Sequence, residues 1–184
     1  MSHTRTLTHS ITRHQLGLTL IELMVTLGIL AILTSLAAPS FMSTIDRWSA
    51  SQAISSLESA LFHARTESIR RGTDLILSRR GSNSSCTATS DTDWRCGWTL
   101  TPSSDKSNIL QDSPKLSSDI SLNPSANATE IRIDRWGGMQ LGDAGYTFSF
   151  TATPSNTQRA ATSARKLCIS AGGQMRQVTA KQSC

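Results

Sequence analysis

Acidic side chains are absent from both ends of this 184-residue chain. Residues 1–17 carry Arg5 and Arg13 but no Asp or Glu. Residues 144–184 carry Arg159, Arg165, Lys166, Arg176 and Lys181, again with no acid. All 13 acidic side chains fall in residues 18–143, beside 11 basic ones, so the net charge of +5 belongs to the two ends. Such asymmetry fits contact with polyanions, although scattered Lys and Arg more often mark a solvated surface. Histidine is equally sparse: His3, His9 and His14 precede residue 18, which leaves only His63, in a helical stretch. No Ser–His–Asp order, phosphate-binding loop, H-E-x-x-H or EF-hand pattern occurs, so no enzyme, no catalytic residue and no cofactor is expected. The four cysteines, Cys86, Cys96, Cys168 and Cys184, are separated within each nearby pair by nine and fifteen residues. They lack the short C-x₂₋₄-C ligand pair, which argues against zinc, and no other metal site is expected. No internal repeat is present.

One long apolar run is present. Residues 18–38 are almost wholly apolar, with Glu22 the only charge. Twenty-one helical residues span roughly 30 Å, enough for one bilayer crossing. Arg5 and Arg13 should stay cytoplasmic by the positive-inside rule, placing the chain beyond Ala38 outside the membrane. The even cysteine count beyond the run agrees with an oxidising compartment. Local pairing, Cys86 with Cys96 and Cys168 with Cys184, is the natural arrangement, and the other two connectivities remain open. A secretory signal peptide cut near Ser35-Leu36-Ala37, or an uncut signal anchor, would explain the apolarity. Neither explains Glu22, since a carboxylate in an apolar helix costs about 2.5–3.5 kcal/mol at mid-membrane and somewhat less near its end.

The stretch Gly17-Leu18-Thr19-Leu20-Ile21-Glu22-Leu23 resembles the prepilin cleavage motif of type IV pilins and type II secretion pseudopilins. The resemblance implies that a membrane prepilin peptidase cuts between Gly17 and Leu18 and that Leu18 is then N-methylated. It also implies that Glu22 pairs with the N-terminal amine of a neighbouring subunit during filament assembly, which makes a buried charge tolerable. Gly28 and Pro39 fall where pilin helices carry Gly and Pro; Leu18 departs from the usual Phe.

Beyond Pro39, which should kink the helix rather than end it, a helical pattern resumes. Phe41, Ile45 and Trp48, then Ala50, Ile54, Leu57, Leu61 and Ala64, read as one apolar stripe. Arg70 and Arg71 suit a last turn and Gly72 a stop, so one helix is expected from Leu18 to Arg71. After it, Asp74–Arg79, Trp98–Thr101, Ile120–Asn123, Glu130–Asp134, Tyr146–Thr151, Lys166–Ser170 and Met175–Thr179 read as strands. Residues 81–93, 102–118 and 152–164 read as polar loops, and Gly137-Gly138 and Gly172-Gly173 as turns. Trp98 should be core, and Trp94 should pack beneath a disulfide loop. The fold class is α+β: a long N-terminal helix, membrane-spanning in its first half and amphipathic in its second, packed on a small, mostly antiparallel β-domain. The expected divisions are a leader (1–17), a transmembrane and filament-core helix (18–38), its amphipathic continuation (39–72) and a periplasmic β-rich domain with a basic tail (73–184).

The run from His63 to Gly72 followed by Leu75-Ile76-Leu77, with Cys96-Gly97-Trp98-Thr99-Leu100 and Lys166-Leu167-Cys168-Ile169-Ser170, resembles the GspH/FimT branch of minor pseudopilins and pilins. This implies a structural subunit: a minor pseudopilin of a type II secretion system, or alternatively a minor pilin of a type IV pilus. Its implied partners are other pilins or pseudopilins, the prepilin peptidase, the inner-membrane assembly platform and the bacterial inner membrane, crossed once with the C-terminal domain in the periplasm. Some FimT-like members carry a DNA-contacting Gly-Arg-x-Arg motif, matched here by Gly173-Gln174-Met175-Arg176, in which Gln174 replaces the first Arg. Arg165, Lys166, Arg176 and Lys181 are the candidate DNA contacts, binding backbone phosphates without reading sequence.

Overall fold

The computed structural model describes residues 19–184, with side chains described outside 36–40. The chain divides into two compact units, Met1–Pro39 and Ser40–Cys184. Helix α1 (Leu20–Arg71) begins in the first and ends in the second, and Pro39 lies within its range.

In the second unit, α1 buries Ala50, Ile54, Leu57, Leu61 and Ala64, joined by Ala53 and Ala60. Burial of Leu57 or Leu61 alone is worth about 1.5–3 kcal/mol. Phe41, Ile45 and Trp48 do not join this face: they are 67%, 43% and 65% exposed. The expected single stripe is therefore corrected to two. Trp48 and Ala50 are two residues apart, about 200° around a helix of 3.6 residues per turn, so the two sets point to opposite sides. The helix stops in a Schellman arrangement. Gly72, at φ +66°, donates to the Ile69 carbonyl, and Thr73 N donates to the Ser68 carbonyl, which only a residue tolerant of positive φ permits at low cost. In the last turn Arg70 and Arg71 both bond Glu67; hydrogen bonds from Arg70, then Arg71, hold its carboxyl at about 2, below the usual carboxylate range.

Nine strands follow: β1 (Leu75–Arg79), β2 (Trp98–Pro102), β3 (Gln111–Asp112), β4 (Ile120–Pro124), β5 (Glu130–Ile133), β6 (Met139–Leu141), β7 (Phe148–Pro154), β8 (Arg165–Ile169) and β9 (Met175–Thr179). They form two antiparallel sheets, in the orders β3-β2-β1-β5-β6 and β4-β7-β8-β9. Alternation sets which side chains face the core. In β7, Phe148, Phe150 and Ala152 point inward, and in β5 Ile131 and Ile133 do. Both sheets and the α1 face contribute to one apolar cluster that includes Trp94, Trp98 and Phe150. Trp94 meets Phe150 edge to face, with ring centroids 5.1 Å apart.

Three expected boundaries shift. The loop expected over 152–164 contains the end of β7 and a short helix, α2 (Thr157–Ser163). Asn156 caps α2 by accepting a bond from Arg159 N, a role its short side-chain oxygen suits. Tyr146 is half exposed and precedes β7, because Gly145 at φ +86° closes a turn onto Leu141. β3, inside the loop expected over 102–118, is only two residues long and leaves no alternation to read.

Gly97 sits at φ +89°, and a Cβ there would lie 2.8 Å from the Arg80 guanidinium, the Pro114 carbonyl and the Ser113 hydroxyl. The Gly97→Ala substitution should therefore destabilise the protein by about 2–4 kcal/mol, through strain at positive φ and overpacking together. Urea unfolding of the detergent-solubilised chain checks this; a loss below about 1 kcal/mol would contradict the crowding.

Candidate functional site

Gly17 and Leu18 lie outside the described residues, as does the leader 1–17. Description starts at Thr19, whose Oγ1 accepts a bond from Glu22 N and whose carbonyl accepts one from Leu23 N. Thr19 thus caps α1, with Glu22 in the first turn. The spacing is that of the S/T-x-x-E capping signature, and a carboxylate there is favoured by the positive end of the helix dipole. Local chemistry alone can thus account for an acid at this helix start. It does not supply the charge with a cation: among the described residues, no ion pair reaches Glu22.

The helix that Glu22 opens is apolar and uncovered. Leu20, Ile21, Met24, Leu27, Ile32 and Leu33 are all more than half exposed. A helix apolar all round is at home among other helices or in lipid. Among the described residues no helix is long and apolar enough to cross a membrane. The expected span, 18–38, begins at the undescribed Leu18 and ends in the 36–40 stretch whose side chains are not described, so what is described is its 20–35 portion.

At the other end of the chain the structure separates the candidate DNA contacts. Lys166 pairs with Val178, and Cys168 with Arg176, across β8 and β9. By strand alternation Lys166 and Arg176 share one face, and Arg165 lies on the other with Leu167 and Ile169. Lys166 Nζ donates to the Gln182 carbonyl and Arg176 Nη2 to Cys184 O. Lys181 is exposed in the turn beyond β9. A fifth cation of the basic tail, Arg159, pairs with Asp46 of α1 at 2.6 Å. The four candidates therefore do not form one cluster. Gln174 is exposed in the β8–β9 turn, where the Ser170 and Gln174 backbones bond.

Two disulfides join Cys86 to Cys96 and Cys168 to Cys184. The first closes the loop that contains Trp94, which is fully buried. The second fastens the last residues to the face of β8 that carries Lys166. Closing loops of these lengths, 10 and 16 residues, should contribute about 3 kcal/mol each. Replacing Cys86 and Cys96 together by Ser should lower unfolding free energy by about that amount; an unchanged urea midpoint would overturn it.

Sequence reasoning missed Asp93 and Arg65. Asp93 is fully buried and accepts bonds from Thr89 N, Thr89 Oγ1, Arg95 N and Leu122 N, while its Oδ2 lies 2.9 Å from Arg95 Nε. It ties the disulfide loop to β4. Arg65 donates to the Gly173 carbonyl at 3.1 Å, and its stem lies where a Cβ at Gly137 would go. The glycine pairs, expected only as turns, are turns that accommodate this arginine. Asp93 lies inside the Cys86–Cys96 loop next to Trp94, and no sequence pattern marks it; nothing local signals Arg65.

A long N-terminal helix packed on antiparallel sheets is the fold of known pilins. Crystal structures of the Pseudomonas aeruginosa (strain PAO1) type IV minor pilin FimU, in two space groups, match it with TM-scores of 0.56 and 0.54. Each is 14% identical; 73% of this chain is covered, with 92% and 96% of theirs. The prokaryotic N-terminal methylation motif matches residues 12–38, and the family described as type II transport protein GspH matches residues 53–173. No curated protein matches the chain. The chain belongs to the GspH family. It is a minor pilin or pseudopilin, a structural subunit of the pilin superfamily.

Proposed function

We propose that this chain is a minor pseudopilin of a type II secretion pseudopilus, supporting protein secretion across the outer membrane. The match to the type II transport family over residues 53–173 carries this reading. Residues 1–17 form a leader that prepilin peptidase removes after Gly17, and Leu18 becomes the methylated terminus; the methylation motif over residues 12–38 supports this. Residues 18–38 then cross the inner membrane once and join the filament core, with Glu22 paired to a neighbour's terminal amine. Residues 39–72 continue the helix past a kink at Pro39, and 73–184 form the periplasmic domain. The inner-membrane assembly platform extracts the subunit, and the chain itself catalyses nothing.

Two measurements test the reading. Mass spectrometry of the mature protein should find an N-methylated Leu18 as first residue; a start at Met1, Ala38 or Pro39 would refute processing. A deletion strain should lose exoprotein secretion while twitching and transformation persist. The likeness of fold to FimU favours a second reading, a minor pilin of a type IV pilus; loss of twitching with intact secretion would select it. DNA contact through Arg165, Lys166, Arg176 and Lys181 is the weaker part of that second reading, because the residues are split between two faces of the sheet. A salt-dependent DNA mobility shift, lost on replacing Arg176 and Lys181 by Gln, would support it.

A further inference from the structure

The five-stranded sheet ends at β3, the short strand Gln111–Asp112. Beside it, between β3 and α1, runs a groove of about 420 Å³, within the range of pockets that hold ligands, about 300–1,000 Å³. Its helix wall is Gln52, Ser55, Ser56 and Ser59, and its other wall includes Trp98 and Gln111. One charged side chain lines it, Asp112, and Arg80 already pairs with that carboxylate at 3.1 Å. A groove so lined offers an anion no cation, and a cation only a carboxylate that is already paired.

Two polar atoms of the wall lack partners. Trp98 is 2% exposed and its Nε1 donor is buried without an acceptor; Gln111 Oε1 is buried without a donor. Buried polar groups are normally satisfied, and each one left unpaired costs about 1–3 kcal/mol. Here a donor and an acceptor are orphaned in the wall of the same groove. A peptide group carries the complementary pair, a carbonyl for the indole N–H and an N–H for the amide oxygen. An edge strand is also where an extended chain adds by main-chain bonding.

We propose that this groove binds an uncharged, extended peptide segment of a partner protein, laid along β3 and bonded through its main chain to Trp98 Nε1 and Gln111 Oε1. Both atoms are closed to water in the unbound state, so the Gln111 side chain turns to admit the segment. The exposed serines of α1 accept small or β-branched side chains above it. The inference does not depend on which filament machine uses the subunit.

The test follows the Trp98 indole N–H resonance of the full mature chain in detergent micelles, assigned by its loss in Trp98→Phe. The probe is the capped peptide acetyl-Thr-Val-Thr-Val-Thr-amide. A saturable shift of this resonance is expected. It should be absent with the same peptide N-methylated along its backbone, and absent in Ser56→Phe, which fills the groove from an exposed helix position. Gln111→Ala should weaken binding about fivefold, the loss of one neutral hydrogen bond. No saturable shift, an equal shift with the N-methylated peptide, or a shift that survives Ser56→Phe would each overturn the proposal. A melting temperature matching that of the unsubstituted chain shows that Ser56→Phe remains folded; Ser59→Phe is the replacement if it does not.

Discussion

Glu22→Ala and Glu22→Val chains should still be cut after Gly17 yet enter filaments at a small fraction of the normal level. The proposed cut lies five residues before Glu22, and Thr19 rather than Glu22 supplies the helix cap, so on this proposal neither processing nor helix formation calls on the carboxylate, and assembly does. The surrounding helix is apolar on every side, and its carboxylate has no cation within the described residues. An unpaired charge costs about 2.5–3.5 kcal/mol at the centre of a membrane helix and somewhat less near its end, where Glu22 lies, and the proposed pairing comes from the next subunit's terminal amine. Removing the charge removes the cost but also the proposed contact with the neighbouring subunit. Comparing mutant and parent in membrane and sheared-filament fractions by immunoblot decides the matter. Normal incorporation would show that Glu22 serves only the first turn of the helix.

Asp93→Ala should lower the stability of the second unit by about 3–5 kcal/mol, as expected when one partner of a buried ion pair is removed. Four donors converge on this carboxylate, from its own loop and from β4. Its loss strands them together with the Arg95 guanidinium, whose surroundings are nearly closed to water. Native domains are stable by only about 5–15 kcal/mol, so the substitution takes away a large share of that margin. Asp93→Asn, which keeps the shape and an acceptor, should fall between the two. Urea denaturation followed by near-ultraviolet circular dichroism measures the ranking; an Ala variant within about 1 kcal/mol of the parent would remove Asp93 from its role.

The two predictions differ in how visible their residues were beforehand. Glu22 stood out because it is one charge in an apolar run, a contrast that needs no third dimension. The buried positions Ile54, Leu57 and Leu61 were legible for a similar reason, since helical period reports a face directly. The same period was misread between Trp48 and Ala50, where a two-residue step reverses the face. β3 and β6 are too short to alternate, and α2 is hidden in a polar stretch because its start depends on Asn156 rather than on apolar spacing. Asp93 was illegible because Thr89 and Arg95 turn toward it only once the loop folds against Leu122 of β4, and the Asp46–Arg159 pair because its members lie far apart in sequence. Arg159 counted as one more free positive charge in the tail until the fold brought it to α1.

Arg65 links two turns that the sequence keeps far apart. Its stem fills the space beside Gly137, between β5 and β6, and its head bonds the Gly173 carbonyl, between β8 and β9. A side chain added at either glycine must push the same arginine aside. Once one substitution has displaced it, the second meets less resistance, so the two penalties should sum to more than the double variant shows. The hairpins of the two sheets are thus thermodynamically coupled through one helical residue, and an insertion tolerated in one turn depends on what occupies the other.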